Sequence, residues 1–196
     1  MTLPNKLTVS RFVLTVVFLV VVFWEFPYNE TVALAVFVAA GITDWMDGAI
    51  ARSRNLITNF GILMDPLADK ILTCSAFIAF VGHGYMPAWM VVIIVARELA
   101  ITGLRLLAAN KQVVLAAEGF GKHKTISQVT SIISILVFVS YEQWGPIGKA
   151  IFGFAVFGAP WVAGFKTVSL WLTMLLTLVS GVLYLWRNRE LYLREV

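Results

Sequence analysis

Four carboxylates define the chemistry open to this chain. Asp44, Asp47, Asp65 and Asp69 are its only aspartates, and they lie in apolar segments of a sequence that is 60% hydrophobic. A charged side chain at the centre of a helix in hydrocarbon costs roughly 2.5–3.5 kcal/mol on insertion scales, so acids kept there point to function. Asp44 and Asp47 are three residues apart, Asp65 and Asp69 four apart. Each pair therefore falls on one face of a helix, one turn apart. The polar run Arg52-Ser53-Arg54-Asn55 between the pairs predicts a turn, so two antiparallel helices joined there would bring all four acids to a similar depth. Converging anions repel unless cations sit among them, and an all-oxygen donor set suits the hard divalent ions Mg²⁺ or Mn²⁺. Gly48 and Gly61 leave room beside the acids for a close helix or a substrate. The plainer alternative, buried ion pairs with Lys70, Arg97 and Arg105, does not explain two spaced acid pairs on neighbouring segments.

Cations surround the acids in the sequence. Arg52 follows Gly48 by four residues, on the same helical face, where a guanidinium could hold a diphosphate bidentately or simply anchor the helix end in the cytoplasm. Arg97 and Arg105 are eight apart in one apolar run, with Glu98 beside the first, where it could orient Arg97 or take part in substrate binding. Lys122 and Lys124 follow a glycine turn at a predicted helix start, a setting that suits an anionic phosphate or an ordinary basic flank.

Asp44-x2-Asp47-Gly48-x2-Ala51-Arg52-x8-Gly61-x3-Asp65-x3-Asp69 resembles, with no departure, the signature of the CDP-alcohol phosphotransferase family. The resemblance implies a two-metal transferase that displaces CMP from a CDP-linked substrate. It implies metal ligation by Asp44, Asp47, Asp65 and Asp69, with Asp69 as the base that takes the acceptor's proton. It implies contacts to the CDP-lipid from Gly48, Arg52, Thr58 and Gly61, and from the Asn5-x2-Thr8 pair, which as chemistry alone reads equally well as a helix cap. Ala96-Arg97-Glu98, Leu104-Arg105 and Gly121-Lys122-x-Lys124-Thr125 resemble the branch of the family that joins CDP-diacylglycerol to sn-glycerol 3-phosphate. Arg97, Arg105, Lys122 and Lys124 would then bind the acceptor's phosphate. An inositol phosphate or phosphatidylglycerol acceptor is the alternative within the family, and the family suggests a homodimer.

The elements that must position these residues follow from hydropathy. Mean hydropathy is +0.86, and 13% of the 196 residues are charged, against a soluble average of about 25%. The chain reads as an all-α integral membrane protein, one catalytic domain over residues 1–196 with membrane lipids around it. Six transmembrane helices are expected at about 10–26, 30–53, 60–82, 86–108, 122–141 and 165–187, after an N-terminal interfacial segment. Residues 145–164 are apolar but broken by glycines and Pro160, and read as a surface or re-entrant piece. The first apolar run lacks a small-residue cleavage site and reads as a retained anchor. Six spans place Lys6, Arg11, Arg52, Arg54, Lys111, Lys122, Lys124 and the C-terminal arginines on one side, and only Lys149 and Lys166 on the other. Both termini and the acids are then expected at the cytoplasmic face of the cell membrane.

The single cysteine, Cys74, excludes an intrachain disulfide and a cysteine metal site. The net charge of +4 fits basic cytoplasmic loops and does not call for nucleic acid. His83 falls in an outward loop, away from this chemistry. A Mg²⁺ transporter is the rival from another class, opposed by acids gathered near one face instead of lining a route across.

Overall fold

The computed structural model describes residues 3–54, 59–113, 120–156 and 158–193; it places the side chains of these except 3–7, 47–54, 59–63, 65, 66, 69 and 120–122. The described chain is helical apart from one short hairpin. Its long helices are α1 (Leu3–Phe23), α2 (Asn29–Arg54), α3 (Asn59–Gly82), α4 (Ala88–Asn110), α5 (Phe120–Ser140) and α7 (Trp161–Arg187). A 3₁₀ turn (Tyr141–Trp144), the short α6 (Gly145–Phe152) and strands β1 (Ala155–Val156) and β2 (Ala159–Pro160) lie between α5 and α7, and α8 (Glu190–Leu193) follows.

Local sequence explains where these helices stop. α1 ends at Phe23, four residues ahead of Pro27, which has no N–H to continue the ladder. α3 closes on Gly84, whose φ of 72° is the left-handed cap conformation. The amide of Tyr85 donates to Phe80 O at 2.8 Å and that of Gly84 to Val81 O at 3.0 Å, a Schellman motif. α4 repeats the pattern at Gln112, φ 55°, with Val113 N donating to Ala108 O at 2.9 Å.

The polar residues expected ahead of the first span belong to the same helix, which runs without a break from Leu3. One expectation needs correction. The last long helix starts at Trp161, directly after Pro160, and not at 165, because proline sets the extended backbone that a helix start needs and then leaves the following residues free to wind.

The interior is apolar at one end and polar along one seam. Phe18, Phe37, Phe77, Phe80, Ile132 and Leu136 form a cluster joining α1, α2, α3 and α5. Between α5 and α7 the contact is made of hydroxyls. Ser131 and Thr173 meet at 2.9 Å, Ser134 and Ser169 at 2.8 Å, and Thr173 Oγ1 donates to Ser127 O at 2.8 Å. Small polar residues of this kind let helix backbones approach closely where no hydrophobic force holds them together.

The outside carries the opposite character. Val168, Trp171, Leu175 and Val182 are exposed along α7, and Val92, Leu99 and Leu106 along α4. Buried hydroxyls with an apolar exterior are the pattern of helices packed in a membrane protein. Residues 123–152 and 161–187 are each long and apolar enough to cross a membrane. Trp24, Trp89 and Trp186 are exposed at helix ends, where aromatic side chains sit at a membrane–water boundary.

Candidate active site

The acid pairs occupy matching positions on α2 and α3. Asp44 and Asp47 precede the end of α2 at Arg54 by ten and seven residues, and Asp65 and Asp69 follow the start of α3 at Asn59 by six and ten. At 1.5 Å per residue each pair covers the stretch about 9–15 Å from the connection. Asp44 is half-exposed and takes an ion pair from Arg11 of α1, whose side chain is buried. The side chains of Asp47, Asp65 and Asp69 lie outside those described, as do those of Asn5, Gly48, Arg52, Gly61 and Lys122; Thr58 lies outside the described residues altogether. Among the described residues there is no cluster of three or more metal-ligating side chains.

α1, which packs against both α2 and α3, adds one residue that the sequence reading took only as a basic flank, Arg11. It is buried one turn from Thr8, a sequence-predicted site residue that is buried as well. Thr15, a turn further on, donates to Arg11 O at 2.9 Å. Arg11 looks in sequence like one more basic residue flanking an apolar run. Its signal is the three-residue spacing from Thr8, which places both on one face.

The cations of α4 and α5 form a second centre. Glu98 is buried, and its Oε1 accepts from Lys124 Nζ of α5, from Arg97 Nη1 at 3.4 Å and from Gln128 Nε2 at 3.4 Å. Arg97 also reaches α7, donating from Nη2 to Ser180 Oγ at 3.3 Å. Its aliphatic stem lies where a side chain at position 181 would be: a Cβ on Gly181 would meet Arg97 Cγ at 2.7 Å. Thr102 donates to Glu98 O at 2.7 Å and accepts from Lys70, the residue after Asp69 on α3. The structure thus brings Arg97 and Lys124 together through Glu98. Arg105 stands apart from that cluster, exposed, with its guanidinium 5.9 Å from the ring centre of Tyr184. Gln128, Ser180 and Gly181 were not legible as site residues, because each is an ordinary packing residue until its neighbour across the helix contact is known.

A cleft of about 290 Å³ runs between α4 and α7, lined by Ile93, Ala96, Arg97, Ala100, Leu178 and Gly181 among others. Its walls are apolar, and Arg97 is the one charged residue on them among the described residues. His83 lies at the opposite end of α3, stacked between Phe23 and Tyr85 with ring centres 5.4 Å from each.

Comparison with known proteins places the chain. Residues 1–179 match the family model of CDP-alcohol phosphatidyltransferase. A CDP-diacylglycerol–glycerol-3-phosphate 3-phosphatidyltransferase of Bacillus subtilis is 36% identical, over 96% of this chain and 95% of its own. Proteins of the same name from Mycoplasma pneumoniae and Rickettsia bellii are 35% and 32% identical, over 81% and 93% of this chain and 79% and 92% of theirs. The chain belongs to the CDP-alcohol phosphatidyltransferase family.

Proposed function

We propose that the chain transfers the phosphatidyl group of CDP-diacylglycerol to sn-glycerol 3-phosphate, giving phosphatidylglycerophosphate and CMP. The observation that carries this reading is an intact acid motif, its two pairs at similar distances along α2 and α3 from the connection between them, in a chain alignable over 96% of its length with a relative of that name. In the transfer, an acceptor oxygen forms a bond to the β-phosphorus of the CDP-lipid while the bond from that phosphorus to the CMP oxygen breaks. Asp69 takes the proton of the acceptor hydroxyl. Asp44, Asp47, Asp65 and Asp69, all hard oxygen donors, are the residues that would hold two Mg²⁺ or Mn²⁺ ions. Bound there, such ions would neutralise the diphosphate and the charge that develops on the leaving phosphate.

The cytidine end and diphosphate fall to Asn5, Thr8, Gly48, Arg52, Thr58 and Gly61. Arg97, Arg105, Lys122 and Lys124 take the phosphate of the acceptor, which favours a phosphorylated acceptor over a neutral alcohol. Six spans with both termini in the cytoplasm put this site within reach of a soluble acceptor and a lipid headgroup together. A homodimer in the cell membrane is the assembly we propose.

The test is an acceptor screen on purified protein with CDP-diacylglycerol and Mg²⁺ or Mn²⁺, scored by CMP release. Glycerol 3-phosphate should give CMP and phosphatidylglycerophosphate. Release with inositol phosphate or phosphatidylglycerol, and not with glycerol 3-phosphate, would assign a different acceptor.

A further inference from the structure

An acid buried between transmembrane helices is stable only if its charge is met by well-placed donors. Glu98 goes beyond that requirement. One of its oxygens, Oε1, receives three side-chain donors from two helices, and two of them, Arg97 and Lys124, are cations. Two cations brought so close would repel if the carboxylate were absent. Its backbone is also held: Thr102 bonds to Glu98 O, and Lys70 of α3 bonds to Thr102. On its far side Arg97 is fixed by Ser180 and by the gap left at Gly181. Contacts from four helices, α3, α4, α5 and α7, thus meet around one carboxylate.

We propose that Glu98 is a positioning residue for the acceptor: it fixes Arg97 and Lys124 as one pre-arranged pair to receive an anionic phosphate. The proposal rests on the functional reading above, in which those two cations take the acceptor's phosphate. Pre-arrangement matters because holding like charges together is done once, during folding, and is not repeated at each binding event. A dianionic phosphate then meets donors already in place. The CDP-lipid, assigned to α1, α2 and the start of α3, does not depend on this arrangement.

Glu98→Gln keeps the shape and removes the charge. In steady-state assays it should raise the KM for glycerol 3-phosphate about tenfold or more while the KM for CDP-diacylglycerol changes by less than about twofold. Glu98→Asp keeps the charge and should recover most of the loss. A second readout does not require turnover. Labelling by an amine-acylating reagent, read by peptide mass spectrometry on the monodisperse fraction, should increase at Lys124 in Glu98→Gln relative to the exposed Lys149. Equal rises in both KM values, or unchanged labelling at Lys124, would overturn the proposal. Absence of CMP release from the wild type with any phosphorylated acceptor would instead overturn the functional reading on which it rests.

Discussion

Arg11 of α1 and Asp44 of α2 form an ion pair in which the two sides are unequally solvated: the guanidinium side chain is 2% exposed and the carboxylate 49%. The pair ties α1 to the first acid of the motif. Removing the cation leaves Asp44, one of the four acids of the proposed metal site, with less positive charge to offset it. Arg11→Met should therefore lower stability in detergent and EDTA by about 1–2 kcal/mol, less than a fully buried pair because water reaches Asp44. Saturating Mg²⁺ should raise the melting temperature of the variant more than that of the wild type. Equal melting temperatures in EDTA would show that the pair contributes nothing.

Asp69 is proposed as the base. Asp69→Asn should cut kcat by about 10²–10⁴-fold, the usual contribution of a positioned proton acceptor, with CDP-diacylglycerol still bound. Single-turnover CMP release together with equilibrium lipid binding separates the two effects. Retained turnover in purified protein would remove Asp69 from the role.

Gly181 is required by its neighbour and not by its own backbone. A methyl group there would fall 2.7 Å from Arg97 Cγ, near the root of that side chain, so relief would need the whole stem to move. Gly181→Ala should cost about 1–3 kcal/mol through overpacking. Because Arg97 would be displaced, the KM for glycerol 3-phosphate should rise while that for CDP-diacylglycerol stays near the wild-type value. Thermal unfolding and the two KM values check both parts, and unchanged kinetics would detach Gly181 from the acceptor side.

The loop between α3 and α4 has its own pH dependence. Burial, and secondarily the Glu30 carboxylate, push the Tyr85 phenol above its ordinary value of 10.0. Below pH 10 folded and unfolded chains both keep the proton, so Tyr85 adds no pH dependence. Above it the unfolded chain loses the proton first, and stability falls as pH rises. The melting temperature should drop less steeply in Tyr85→Phe than in the wild type over that alkaline range. Parallel curves would contradict the assignment.

The helical segments were legible because hydropathy and turn residues report directly on length: α2, α3, α4 and α5 begin and end within two residues of expectation. The start of α1 was less legible because the polar residues around Asn5 and Lys6 carry no apolar helix signal, and they nonetheless continue the same helix. The placement of the acid pairs on two successive helices was legible because their spacing is itself a helix signature. The contacts that join the second centre across helices were not. Glu98 and Lys124 are 26 residues apart, and Arg97 and Ser180 are 83 apart. No local pattern encodes a contact that exists only once α4, α5 and α7 have packed.

The central claim is that the four aspartates act as one divalent-ion site serving phosphatidyl transfer. Mn²⁺ titration followed by electron paramagnetic resonance, on the wild type and on the single Asp→Asn variants at 44, 47, 65 and 69 with CDP-diacylglycerol present, tests it most directly. The wild type should bind two Mn²⁺ per chain, and each variant should bind fewer or more weakly, in step with its loss of CMP release. Mn²⁺ binding that is unchanged in all four variants would contradict the account.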